Sequence, residues 1–121
     1  MAKKVVIVED NELNLKLFTD LLRAHGFEVE ARRDGRDIMN VVQTIMPDLI
    51  IMDIQLPNIS GLDLIETISG DTQTSAIPIL AVTAYAGKGD EERIMSAGAK
   101  AYLSKPVSVM KFLEAVNTIS R

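Results

Sequence analysis

The chain has 121 residues, 47% hydrophobic and 25% charged, with a formal net charge of −4; this is enough for one domain with a substantial core, and the composition is that of a folded globular protein. The negative balance argues against a nucleic-acid surface, which needs clustered Lys and Arg, and the short Arg32, Arg33, Arg36 group has the look of a solvated face. There is no cysteine for a disulfide or thiolate site, no apolar run near the ~20 residues of a membrane span, and too short a run after Lys3 and Lys4 for a signal-peptide core, so a soluble cytoplasmic protein is expected.

In chain order, Lys4–Val8 is the first apolar run, and its β-branched residues predict a buried strand. Leu13, Leu17, Phe18, Leu21 and Leu22 then form a helical stripe that Gly26 stops. Phe27–Ala31 alternates apolar with charged residues, as a half-exposed edge strand does. Ile38, Val41, Val42 and Ile45 keep a 3.6-residue period until Pro47. Asp48–Met52 is a third strand, and Ser60 starts a third helix, with Asp63 placed for a capping-box contact and an end near Gly70. Ile77–Val82 is the fourth strand, Asp90–Ala97 a short polar helix and Ala101–Ser104 the fifth strand. A last helix runs from a cap at Ser108 through Val109, Phe112, Leu113, Val116 and Ile119. Met39, Met46, Met52, Met95 and Met110 are scattered among expected core positions. Strand and helix alternate throughout, which predicts a single α/β doubly wound domain over 1–121 with right-handed crossovers.

In such a sheet every strand ends on one edge, where ligands bind. The ends of the predicted strands carry Glu9 and Asp10, then Asp53, then Thr83, then Ser104 and Lys105. Three carboxylates brought together repel unless a cation lies between them, and hard oxygen donors without His or Cys favour Mg²⁺. An Asp there can act as the nucleophile of an acyl phosphate. A phosphoryl group in flight would be balanced by the metal and a Lys, with a hydroxyl as donor. Any one of these residues alone would be an ordinary polar terminator of its strand; their complementarity on one rim points to phosphoryl chemistry.

Val8-Glu9-Asp10, Met52-Asp53-Ile54-Gln55-Leu56-Pro57, Gly61, Val82-Thr83-Ala84 and Ser104-Lys105-Pro106, in this order, resemble the receiver domains of two-component response regulators over the whole chain. The resemblance implies a flavodoxin-like (CheY-like) parallel sheet of order 2-1-3-4-5 with five flanking helices. It implies Asp53 as phosphoacceptor and Mg²⁺ held by Glu9, Asp10, Asp53 and the backbone carbonyl of Gln55. Thr83 and Lys105 would contact the phosphoryl oxygens, and the Lys105–Pro106 peptide would be cis. Glu9-Asp10 departs from the Asp-Asp pair of many members. Thr83 and Tyr102 would form the switch, Tyr102 filling the space that Thr83 vacates. Gln55 and Tyr85 would lie beside the site, at positions that tune dephosphorylation in the family.

Asn11-Glu12-Leu13-Asn14, Gln55-Leu56-Pro57, Lys88-Gly89-Asp90-Glu91-Glu92-Arg93 and Ser104-Lys105-Pro106-Val107-Ser108 resemble the DivK type of single-domain cell-cycle regulator within that family. The expected partners are sensor histidine kinases or a phosphotransfer protein, and a downstream protein target on the helix 4–strand 5–helix 5 face. No effector domain, nucleic acid or membrane insertion is expected. Two rival readings are a phosphorylation-independent adaptor and a small Mg²⁺-dependent phosphohydrolase; the latter needs an acid two residues beyond the nucleophile, where Gln55 stands. His25, the only histidine, fits the C-terminal end of its helix rather than a phosphohistidine role.

Overall fold

A computed structural model of the chain describes residues 2–84 and 87–120, so Tyr85 lies outside the described residues. Strands and helices alternate in the order β1 (Lys4–Val8), α1 (Glu12–Ala24), β2 (Glu28–Arg32), α2 (Ile38–Ile45), β3 (Leu49–Asp53), α3 (Gly61–Gly70), β4 (Ile79–Thr83), α4 (Lys88–Ala97), β5 (Ala101–Ser104) and α5 (Val109–Ile119). The strands make one parallel sheet of order β2-β1-β3-β4-β5. This is the doubly wound arrangement that the alternation predicted.

The period-2 geometry of each central strand divides its side chains between two cores. Val6, Val8, Ile50, Met52, Ile79 and Ala81 face α2, α3 and α4, where Ile38, Val42, Ile65 and Ile94 meet them. Val5, Ile7, Leu49, Ile51, Leu80 and Val82 face α1 and α5, where Phe18 and Phe112 stack with ring centroids 4.4 Å apart. Strands β3 and β4 are buried at every position, whereas the edge strands β2 and β5 are only half-buried. With both faces covered, β3 has nowhere to place a charge except its last residue, Asp53.

Several local expectations change. Ser60 does cap α3, but its Oγ accepts from the Leu62 amide at 3.2 Å and makes no box with Asp63. Strand β4 starts at Ile79, since Pro78 has no amide; its carbonyl still accepts from Ile50 at 3.0 Å. Helix α4 begins two residues earlier than Asp90. Leu13 and Leu17 are exposed, because the apolar stripe of α1 is wider than its contact with the sheet and only Phe18, Thr19 and Leu22 are buried. Val109, in the first turn of α5, is likewise exposed. Of the five methionines assigned to the core only Met52 is buried; Met46, Met95 and Met110 are exposed, the last at 73%, because they lie on the outer sides or ends of their helices.

Gly61 fixes the approach of α3 to the end of β3. A Cβ built there would lie 2.1 Å from the Asp53 carbonyl oxygen and 2.8 Å from Ile54 Cα, both backbone atoms that cannot yield. Gly61 also donates its amide to the Ile54 carbonyl at 3.0 Å. Gly61→Ala is therefore expected to lower stability by more than about 2 kcal/mol, read as a drop in the urea midpoint by circular dichroism. An unchanged midpoint would mean that α3 can move away from β3 freely.

Candidate functional site

Strand order reverses at β1, so the crevice between the carboxyl ends of β1 and β3 is the topological switch point. Glu9 directly follows β1, and Asp53 closes β3, whose neighbours in register are Val8↔Met52 and Asp53↔Val82. Thr83 closes β4 and pairs with Ser104, the last residue of β5, so Lys105 enters from the far side. The Lys105 amide donates to the Thr83 carbonyl at 2.7 Å, and the following Lys105–Pro106 peptide is cis.

Glu9 and Asp53 are almost completely buried, at 2% and 1% exposure, while Asp10 is exposed. Carboxylate oxygens of Glu9, Asp10 and Asp53 all lie within 4.8 Å of one another. The Lys105 ammonium sits between the two buried acids, 2.9 Å from Asp53 Oδ2 and 3.1 Å from Glu9 Oε1. Asn14, one turn into α1, donates from Nδ2 to Glu9 Oε1 at 3.3 Å. The other Asp53 oxygen, Oδ1, accepts the Gln55 amide at 2.9 Å. Glu9, Asp10, Asp53, Thr83 and Lys105 thus meet on one rim.

Burial pushes the Asp53 carboxyl up to about 6, and the neighbouring Glu9 carboxylate pushes the same way, against the pull of Lys105. Burial also acts to lower Lys105, but its contacts with Asp53 and Glu9 outweigh that and lift the ammonium above its ordinary value. The donor set fits a hard divalent cation: it is all oxygen, two of its three acids are buried, and there is one ammonium for three carboxylates.

The sequence named Thr83 and Gln55, but not the contact between them. Gln55 Nε2 donates to Thr83 Oγ1 at 3.0 Å, and Gln55 Oε1 accepts the Ala84 amide at 2.9 Å. A glutamine two residues after a strand gives no pattern from which to read such a bridge, since it spans a separation of 28 residues. Asn14 was equally invisible, because its role depends on how α1 leaves the sheet. Tyr102 is half-buried against the α3–α4 core; the Glu91 carboxylate of α4 and burial both raise its phenol.

Since Asp53 titrates higher in the folded chain than its ordinary 3.8, it favours folding most at low pH, and this is lost as pH rises from about 4 to 6. Above that range the ionised carboxylate opposes folding. Asp53→Asn is therefore expected to stabilise the metal-free protein at pH 7.5 by about 1–3 kcal/mol, with the gain shrinking toward pH 4. Thermal unfolding in chelator at several pH values measures it, and a gain that does not vary with pH would contradict this account of Asp53.

Residues 5–117 match the response regulator receiver domain family. The chain is 50% identical over 118 residues to the polar-differentiation response regulator DivK of Brucella anthropi, covering 98% of this chain and 96% of that protein, with the same figures for DivK of Brucella ovis. Among solved structures it is similar to the chemotaxis response regulator CheY4 of Vibrio cholerae, with a TM-score of 0.92 and 25% identity over 98% of this chain and 99% of that one. The receiver domain of the sensor histidine kinase PA1611 of Pseudomonas aeruginosa, solved with a magnesium ion coordinated in its active-site cleft, has a TM-score of 0.89 and 28% identity over 99% of this chain and 98% of that one. A buried strand-end aspartate beside a lysine and an acidic cluster, on a sheet of this order, agrees with both comparisons: the chain belongs to the response regulator receiver family, is of the DivK type, and is a signalling switch rather than a turnover enzyme.

Proposed function

We propose that Asp53 accepts a phosphoryl group from the phosphohistidine of a sensor kinase or a phosphotransfer protein, and that this changes the protein's affinity for its partners. The observation that carries the reading is the Lys105 ammonium lodged between Asp53 and Glu9 with Asp10 alongside. A buried nucleophile, a fixed cation and a surplus of carboxylates have no common purpose in a purely structural rim. In the transfer, the P–N bond of the donor breaks and a P–O bond forms to a carboxylate oxygen of Asp53. The electron pair returns to the donor imidazole, which takes up a proton. The ionised carboxylate is the nucleophile, and it predominates above about pH 6.

Lys105 would pair with a phosphoryl oxygen, and the Thr83 hydroxyl would contact another from the adjacent strand end. Glu9, Asp10, Asp53 and the Gln55 backbone carbonyl would hold Mg²⁺, which when bound neutralises charge that develops on the phosphoryl oxygens. Output would pass through the α4–β5–α5 face, to which Tyr102 and Glu91 of α4 belong. By its likeness to the DivK proteins, the chain would act in cell-cycle or polar-differentiation control. No helix of the described residues is long and apolar enough to cross a membrane.

Incubation with acetyl phosphate and Mg²⁺ is expected to add one phosphoryl group, detected by intact mass. The addition should vanish in Asp53→Asn and without the metal. Failure of the wild-type protein to take the group while it binds Mg²⁺ and accepts none from a kinase would favour a phosphorylation-independent adaptor.

Mg²⁺ alone at a hundredfold excess over its Kd should stabilise the wild-type chain by about 2.7 kcal/mol in thermal unfolding. Asp10→Asn should weaken that response, because it removes the exposed carboxylate of the cluster. An undiminished response would place the cation elsewhere.

A further inference from the structure

The Gln55 side chain is a polar group at the rim that the phosphoacceptor reading leaves without a task. It spans the gap between the ends of β3 and β4, gripping β4 with both ends of its carboxamide: Nε2 on Thr83 Oγ1 at 3.0 Å and Oε1 on the Ala84 amide at 2.9 Å. Its own backbone amide is tied to Asp53 Oδ1 at 2.9 Å. The carboxamide therefore lies across the space between Asp53 and the strand end that supplies Thr83.

A phosphoryl group on Asp53 presents oxygens that need donors, and the end of β4 offers the Thr83 hydroxyl and, just beyond it, the Ala84 N–H. An amide N–H makes one good hydrogen bond, so the Gln55 oxygen and a phosphoryl oxygen compete for it. We propose that Gln55 is a displaceable latch: its carboxamide oxygen stands in for a phosphoryl oxygen at the Ala84 amide in the unmodified protein and must leave that amide when Asp53 is phosphorylated. This rests on the reading of Asp53 as phosphoacceptor.

There is room for the displaced side chain. A cavity of about 120 Å³ opens beside Gln55 and Thr83, between α3 and α4, with Leu62, Asp90, Arg93 and Ile94 among its walls. Asp90 and Arg93, 3.8 Å apart, offer an acceptor and a donor to an amide. A Gln55 carboxamide released from β4 would therefore meet α4, which couples the state of Asp53 to that helix. Gln55 is in this sense a positioning residue that raises the threshold for activation.

The test compares wild type with Gln55→Ala and with Gln55→Met, which keeps the volume but not the hydrogen bonds. Beryllofluoride, a phosphoryl mimic, is titrated at saturating Mg²⁺ by ¹⁵N NMR. Both variants are expected to bind it about twofold to tenfold more tightly than wild type, the effect of removing the one competing hydrogen bond at the Ala84 amide. In the wild-type protein the Gln55 side-chain amide resonances should shift as Ala84 responds. Unchanged or weaker binding in Gln55→Met overturns the latch, as does tightening in Gln55→Ala alone, which would make the effect one of volume. Gln55 resonances that stay still while Ala84 shifts also overturn it. If wild type binds Mg²⁺ but no beryllofluoride and takes no phosphoryl group, the Asp53 reading fails and the latch falls with it. An Asp53→Asn control tells that outcome from failure of Gln55 alone.

Discussion

The site depends on one unfavourable fact: two carboxylates, Glu9 and Asp53, are buried side by side at the end of a parallel sheet with one ammonium between them. Like charges so placed are not stable on their own account, and removing water from them increases the cost. Lys105 offsets part of it, yet the Asp53 carboxyl still titrates near 6. The rim therefore holds an excess of negative charge that a hard cation would relieve. Much of the surrounding structure serves to keep these groups where they would not otherwise stay.

That holding falls to the two cores. Because β1, β3 and β4 present alternate residues to opposite helical layers, neither strand end can shift without disturbing both sides. The Phe18–Phe112 stack joins α1 to α5, the helices that follow Glu9 and Lys105 in the chain. On the other side Gly61 lets α3 press directly against the Asp53 carbonyl. A second close approach, at Gly98, where φ is +125° and a Cβ would strike Ser69, seats the end of α4 on α3. Preorganised charge needs supports of this stiffness, since a few tenths of an ångström of slack would let water or a rotamer change relax the cluster.

The central strands were legible because burial on both faces leaves an unbroken apolar run with a polar residue at its end. Lys4–Val8 and Ala101–Ser104 form the predicted strands, and Glu9, Asp10, Asp53, Thr83 and Lys105 fall at strand ends because the polar residue marks where burial stops. The edge strand β2 shifted by one residue, to Glu28–Arg32, because a half-exposed alternation fixes faces better than boundaries. Hydropathy alone misplaced Leu13, Met95 and Met110, since an apolar side chain on a helix is buried only if an element packs against that side. The Gln55 bridge and the Asn14 contact with Glu9 were not legible at all. Each joins residues through the tertiary arrangement, and no local pattern records it.

Two contacts lead from the rim toward the same helix. The Tyr102 phenol is raised by the Glu91 carboxylate of α4, and the cavity beside Gln55 is walled by Asp90, Arg93 and Ile94 of α4. That helix is held to the core by few apolar residues: Ile94 and Ala97 are its buried ones, against Leu64, Ile65 and Ile68 on α3. An element with few apolar anchors can change position at small free-energy cost, which is what a switch needs from the part that reports its state. The helices that brace the rim and the helix that can respond to it are therefore different ones. On the proposed reading, a phosphoryl group on Asp53 would then alter the α4 face without loosening the supports that keep the charge cluster together.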